Sequence, residues 1–218
     1  MVRPVFILGS CRLAWLFDDE ANPTRDGSGY GNNGTVSGSP TWVDGKYGKA
    51  ISFDGENDIV YVADNPTQRP SVFTIMAWIK PLTLTDDRGV IVSKDDWDNK
   101  LGWVMVYYRD THRVRWRIYD GSTYTDIFSD PDSVPIGSWA HVCGVYDGAI
   151  SYFYLNGDLV DSVNFGFSPA TTNFRAGAWT SSSYRFKGII DEVYFFDKFL
   201  STSEINAIIR GTRVPKIS

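Results

Sequence analysis

Along most of the chain, apolar residues recur with the period of strands rather than of helices. Arg113-Val114-Arg115-Trp116-Arg117-Ile118-Tyr119 alternates strictly, which places Val114, Trp116 and Ile118 on one face and Arg113, Arg115 and Arg117 on the other. Phe73 to Lys80 and Trp103 to Tyr108 are apolar on both faces, the pattern of strands buried between neighbours, and Gly188 to Phe196 predicts a late strand of the same kind. Turn signals separate these runs. Asp120-Gly121 and Asp147-Gly148 are two, and Asn156-Gly157 between Ile150–Leu155 and Asp158–Val163 predicts a two-residue hairpin. One helix is predicted near the end: Ser201-Thr202-Ser203-Glu204 has the form of a capping box, Ile205, Ile208 and Ile209 share a face, and Gly211 is placed to end it. Many strands in series with one short C-terminal helix predict an all-β fold of two antiparallel sheets packed face to face.

Composition supports this picture. The 218 residues include 20 Gly, 10 Pro, 8 Trp, 12 Tyr and 13 Phe, residues of turns and strands, and no linker-like stretch divides them, so one domain is predicted. A net charge of −5 disfavours general binding to nucleic acid or anionic lipid. No apolar run approaches the ~20 residues of a spanning helix, so membrane insertion is not expected either. Cys11 and Cys143 are too few for a disulfide framework or a structural zinc site. Cys143 is expected as a buried thiol in the apolar stretch from Trp139 to Val145; whether the two cysteines pair is open. The opening segment from Met1 to Arg12 has a short apolar run, well below the ~7–15 residues of a secretory h-region. Either the chain does not follow the general export route or a leader has been removed.

In chain order, eight segments carry a family resemblance. They are Leu16-Phe17-Asp18, Asp26-Gly27-Ser28-Gly29-Tyr30-Gly31-Asn32-Asn33-Gly34-Thr35, Gly48-Lys49-Ala50-Ile51-Ser52-Phe53-Asp54-Gly55, Phe73 to Ile79, Trp139 to Val142, Tyr152 to Gly157, Gly188 to Val193, and Leu200 to Ile205. Their joint order and spacing resemble a laminin-G-like jelly roll of the concanavalin A-like lectin/glucanase superfamily, over about residues 13–212. The resemblance implies a two-sheet antiparallel jelly-roll sandwich with one short C-terminal helix, residues 1–12 being an N-terminal extension and 213–218 a tail. It also implies a structural calcium between an N-terminal segment and the penultimate strand, with Asp191 contributed by that strand. Ca²⁺ takes roughly six to eight hard oxygen ligands. The loop from Asp26 to Gly34 offers one carboxylate, two Asn amides and glycine-rich backbone, so the candidate ligands are Asp26, Asp191, Asn32, the Gly34 carbonyl and Asp18. The alternative is ordinary Asx turns at Asp26 and Asn32 and a simple donor beside Asp191.

Sugar recognition is the second candidate chemistry. Aromatic faces stack on the C–H faces of sugar rings while planar polar groups fix hydroxyls. Trp97, Trp103, Tyr108, Tyr124, Trp179 and Tyr184 are the candidate platforms, with Arg185 beside the last. Trp97 stands out because Lys94-Asp95-Asp96-Trp97-Asp98-Asn99-Lys100 is otherwise polar and reads as a loop, whereas Trp78, Trp116 and Trp139 read as core. The arginines of the alternating strand sit about 7 Å apart on one face and need solvent or matching carboxylates. Arg115 and Arg117 are placed either to hold an acidic glycan through bidentate contacts or to pair with Asp residues of neighbouring strands, leaving an outward polar sheet face.

Hydrolases of the superfamily raise a catalytic alternative. Retaining enzymes need two carboxyl groups about 5–5.5 Å apart, which laminarinase-type relatives draw from two glutamates of one strand. The four glutamates here, Glu20, Glu56, Glu192 and Glu204, never share a strand, and Asp95-Asp96 falls in the loop-like stretch. His112 and His141 are the only imidazoles, and no Ser-His-Asp or Cys-His arrangement has supporting spacing. The leading expectation is therefore a non-catalytic glycan-binding module with a structural Ca²⁺, at an extracellular or virion surface rather than in the cytoplasm. The alternative is a virion-associated jelly-roll protein, of the decoration or tail kind, acting through other protein subunits in assembly or surface adhesion.

Overall fold

The structure, a computed structural model, describes residues 9–179 and 184–211. Within them lie fifteen strands and one α-helix: β1 (Cys11–Trp15), β2 (Thr35–Ser37), β3 (Thr41–Asp44), β4 (Lys49–Asp54), β5 (Ile59–Val62), β6 (Phe73–Pro81), β7 (Arg88–Asp96), β8 (Leu101–Tyr108), β9 (Arg113–Tyr119), β10 (Tyr124–Phe128), β11 (Ala140–Tyr146), β12 (Ile150–Leu155), β13 (Asp158–Asn164), β14 (Phe174–Ala176), β15 (Lys187–Phe196) and α1 (Thr202–Ile209). An eight-stranded sheet runs β13-β12-β11-β6-β15-β4-β3, with β1 paired to the C-terminal half of β15, and a seven-stranded sheet runs β10-β9-β8-β7-β14-β5-β2. All named pairings are antiparallel, and the two sheets stack as a jelly-roll sandwich. The first strand begins at Cys11, and Arg12 pairs with Asp197. The expected tail, 213–218, lies outside the described residues.

Alternation in the strands decides what fills the space between the sheets. From β9, Val114, Trp116 and Ile118 turn inward as expected, meeting Trp103, Met105 and Tyr107 of β8 and Phe73, Ile75, Ala77 and Ile79 of β6. Trp103 is the hub of this core. Its ring centroid lies 5.3 Å from Phe174, 5.9 Å from Trp116, 6.1 Å from Phe195 and 6.2 Å from Phe73. Gly144 of β11 is small for a reason: a Cβ there would stand 2.7 Å from the Trp116 ring.

The outer face of the eight-stranded sheet is covered by α1. Ile205 and Ile208 pack on Met76, Cys143, Val145, Tyr154, Tyr194 and Phe196. The predicted capping box is present, Ser201 accepting from the Glu204 N–H and Glu204 accepting from the Ser201 N–H, and Gly211 takes the left-handed φ of +66° just past the end. The predicted hairpin turn has φ of +54° at Asn156 and +92° at Gly157. It abuts the helix so closely that a Cβ on Gly157 would lie 2.3 Å from the Asn206 side chain. Cys11 and Cys143 are free thiols buried in this layer.

The outer face of the seven-stranded sheet corrects an expectation. It is not wholly polar: beside the arginines, Val90, Val104, Val106 and Tyr119 form a second apolar cluster there, with Tyr108, Trp179 and Tyr184 packed against it. The arginines of β9 share this face, but the strands beside them supply valines at the same alternating positions. The consequence is that β7, β8 and β9 are buried along most of their length on both sides. Trp103→Ala removes the hub of the inner layer and is expected to lower the unfolding free energy by about 3–5 kcal/mol in urea titration; a loss under about 1 kcal/mol would contradict the hub assignment.

Candidate functional site

The site grows from the end of β7. Lys94, Asp95 and Asp96 belong to this strand, paired with Trp103, Gly102 and Leu101 of β8, and not to a loop. Two charged residues remain in a strand interior because each finds a partner. Lys94, fully buried, donates to Asp64 at 2.6 Å and to the Thr172 carbonyl at 2.6 Å, and burial still lowers its pKa from the ordinary value. Asp95, also fully buried, accepts the Trp179 indole N–H at 2.8 Å. Burial is the main cause that raises its pKa to about 7, opposed by that hydrogen bond and by Arg175. Close approach demands glycine opposite them, since a Cβ on Gly102 (φ +85°) would stand 1.9 Å from the Lys94 carbonyl oxygen.

The four residues from Trp97 to Lys100 then form a tight turn. Asp96 accepts from the Asn99 backbone at 3.1 Å and from its side chain at 2.8 Å, while the Lys100 ammonium donates to the Trp97 carbonyl and sits 3.8 Å from the centre of the Trp97 ring. Held this way, Trp97 is 43% exposed, and the Tyr124 ring, 40% exposed, stands 5.8 Å from it. Trp179 meets Trp97 edge-on at 6.3 Å, and Tyr184 follows at 5.9 Å. These four rings border a cavity of about 760 Å³ on the outer face of the seven-stranded sheet. Asp95, Asp96, Asp98, Arg88, Arg115, Arg117 and Thr172 complete its lining.

The arginines are matched rather than solvated. Arg117 is held by both oxygens of Asp126, at 2.6 Å each, and lies over the Tyr124 ring at 3.6 Å. Arg115 donates to the Tyr108 hydroxyl at 2.8 Å and stands 3.8 Å from Asp126. Burial and the neighbouring Arg117 lower its pKa.

Sequence-predicted platforms thus divide. Trp97, Trp179, Tyr184 and Tyr124 come together at the cavity, with Arg115 and Arg117. Trp103 does not: it is 1% exposed, in the centre of the core, because β8 turns it inward. Tyr108 backs the cavity through Arg115 instead of lining it, and Arg185 approaches the Asp58 carbonyl, outside the lining. Among the tryptophans read as core, Trp116 is there, Trp78 is buried on the outer face of the other sheet against His141, and Trp139 is only half-buried. His141 is itself buried, which lowers its pKa to about 3 and keeps it neutral. Arg88 and Thr172 were not legible as site residues, Arg88 lying in a turn-like Asp-Asp-Arg-Gly run and Thr172 reaching the site only through Lys94 and the Asp95 carbonyl.

The candidate calcium ligands fall into two groups. Asp26 accepts four hydrogen bonds: Ala14 N–H at 2.8 Å and Ser28 N–H at 2.9 Å on Oδ1, Ser28 hydroxyl at 2.7 Å and Asn32 N–H at 2.9 Å on Oδ2. Asn32 Oδ1 accepts the side-chain amides of Asn65 and Gln68, and the Gly34 carbonyl accepts the Thr24 hydroxyl. A carboxylate offers about four lone-pair sites. Those of Asp26 are filled by donors, so this loop does not fit a cation; it is a polar knot that ties β1 to the segment before β2. Asp18 and Asp191 lie elsewhere, at the turn between β3 and β4, accepting the Lys49 N–H at 2.8 Å and the Tyr47 N–H at 3.0 Å. Among the described residues no three His, Cys, Asp or Glu side chains cluster as a metal site. None of their helices is long and apolar enough to cross a membrane.

Among solved structures, domain 4 of AbnA, an extracellular arabinanase from Geobacillus stearothermophilus in complex with arabinotriose, is similar, with a TM-score of 0.72 at 22% identity over 92% of this chain and 98% of that one. The binding domain of Paraclostridial Mosquitocidal Protein 1 gives 0.76 at 21% identity, covering 92% of this chain and 52% of that one. The receptor binding domain of the botulinum neurotoxin C/D mosaic serotype gives 0.76 at 18%, covering 93% and 51%. The chain thus spans about half the length of the toxin domains, and at these identities the likeness is one of fold alone. No curated protein sequence matches it. A family model of laminin-G type, described as concanavalin A-like lectin/glucanases superfamily, matches residues 54–206. With that match spanning most of the sandwich just described, the chain belongs to the concanavalin A-like lectin/glucanases superfamily.

Proposed function

We propose that this protein is a carbohydrate-binding module that docks a glycan in the cavity on the outer face of the seven-stranded sheet and does not cleave it. The observation that carries this reading is the pair of exposed rings, Trp97 and Tyr124, standing over buried hydrogen-bonding groups of Asp95, Arg115 and Arg117. Rings of this kind cover the apolar faces of a sugar, and the few fixed polar groups set its orientation. The shared fold of a domain in complex with arabinotriose supports the reading.

Absence of catalysis is supported by the fate of the carboxylates. Both oxygens of Asp96 are engaged by Asn99 and both of Asp126 by Arg117, and Asp98 sits on the exposed turn, so none of them is left as a free second carboxyl to work with Asp95. Two-carboxyl glycoside hydrolysis needs such a pair. On a glycan array in calcium buffer, the protein is expected to bind at least one carbohydrate, and Trp97→Ala to weaken that binding about tenfold or more, some 1.4 kcal/mol. Equal binding by both proteins would remove Trp97 from the site, and no binding by either would contradict the proposal.

A structural calcium belongs to the proposal only at Asp18 and Asp191, the two carboxylates that flank the β3–β4 turn, since the Asp26 loop is saturated with donors. An ion held only by the folded state stabilises it by mass action. Chelation is therefore expected to lower the melting temperature, and Asp191→Asn to erase the difference between chelated and calcium-loaded protein. An unchanged melting temperature after exhaustive dialysis against EDTA would contradict a calcium site here.

A further inference from the structure

We infer that Asp95 selects the ligand: it accepts hydrogen bonds from the hydroxyls of a neutral glycan, and the cavity discriminates against acidic ones. This rests on the carbohydrate-binding reading above. Asp95 lies in the cavity wall with no exposure of its own, one oxygen bound by the Trp179 indole and the other, Oδ1, buried without a hydrogen bond. Buried polar atoms are seldom left so, because the desolvation cost is then uncompensated. The groups that face Asp95 are Arg175 from β14, Arg115 and Tyr119 from β9, Ser93 on its own strand and Trp179. None of them makes a hydrogen bond of ordinary geometry to Oδ1; the Ser93 hydroxyl, itself without a partner, stands only near enough to lower the Asp95 pKa. A sugar hydroxyl entering the cavity supplies the missing donor.

Charge decides the class of sugar. Arg117 is clamped by Asp126, Arg88 is held by Asp87 at 2.8 Å, and Arg115 is shared between Tyr108 and Asp126. Each guanidinium of the cavity thus already has an acidic or phenolic partner, Arg115 keeping only its Nε without a hydrogen bond, 3.8 Å from Asp126, while Asp95, Asp96 and Asp98 add negative charge to the lining. A uronate or sulfate would be brought beside those carboxylates, and with water displaced the repulsion is strong.

The pH dependence follows in sign. Asp95 titrates near 7 because burial disfavours its charge, and a hydroxyl-accepting carboxylate is its ionised form. Affinity is therefore expected to rise with pH through about 7, roughly tenfold between pH 6 and pH 8. Stability moves oppositely: from the unfolded value of 3.8 up to about 7 the folded state holds more protons than the unfolded one, so Asp95 loses stability for the fold as pH rises through that window.

The test is calorimetric titration of the full chain with neutral trisaccharides, arabinotriose among them, and with trigalacturonate, at pH 6 and pH 8. Wild-type protein is compared with Asp95→Asn, whose melting temperature at pH 8 reports folding. The expected result is a neutral trisaccharide bound about tenfold tighter at pH 8 and trigalacturonate bound more weakly. Asp95→Asn is expected to lose at least tenfold in affinity at pH 8 and all pH dependence, while melting no lower than wild type at that pH. Retained affinity in Asp95→Asn, pH-independent binding by wild type, or preference for trigalacturonate overturns the inference and leaves the carbohydrate-binding reading standing. Failure of every saccharide on the array to bind wild type at pH 8 overturns that reading itself.

Discussion

The cavity depends on one desolvated pair of neighbours, Lys94 and Asp95. Successive residues of a strand point to opposite faces, so their side chains leave β7 on opposite sides of the sheet, where both are buried. Lys94 fastens the segments carrying Asp64 and Thr172 to one side, and Asp95 fastens Trp179 to the other. Trp97 begins the turn two residues after Asp95, so the direction of its ring is inherited from this anchored strand end. Breaking either partnership would leave a buried charge alone, a condition far more costly than the loss of one surface ion pair.

The sheet thereby separates core from exposed surface within a few residues. Trp103 and Trp97 are neighbours across one tight turn, yet the first centres a dry aromatic core and the second stands half in solvent. Arg117 shows the same economy, since its bond to Asp126 fixes the guanidinium that lies over the Tyr124 ring. At the chain start, the Asp26 knot gathers four donors around one carboxylate and so ties β1 to the segment before β2.

Features set by near neighbours were legible in the sequence. The alternation of β9, the Asn156-Gly157 hairpin and the capping box of α1 each follow from residues within a few positions of one another. The exposed Trp97 was legible too, as an aromatic ring stranded among polar residues. What escaped was the nature of those polar residues. Lys94 is satisfied by residues 30 and 78 positions away, and Asp95 by one 84 positions away, so a strand end carrying buried charge looked like a solvated loop. Trp103 lies in a strand apolar on both faces, and only the packing of Phe73, Phe174 and Phe195 tells the inner face from the outer. The arginine row and an aspartate partner were both foreseen; its burial beneath Trp97 and Tyr124 was not, because the valines that dry the face come from β7 and β8.

The central claim is that carbohydrate occupies the aromatic-bordered cavity and no other part of the sandwich. An NMR titration that follows the tryptophan indole N–H resonances against neutral trisaccharides tests it most directly. The account predicts that the Trp97 and Trp179 signals shift together and saturate, while those of Trp103 and Trp116 stay in place. Shifts confined to other tryptophans, or saturable binding that leaves Trp97 and Trp179 unmoved, would contradict it.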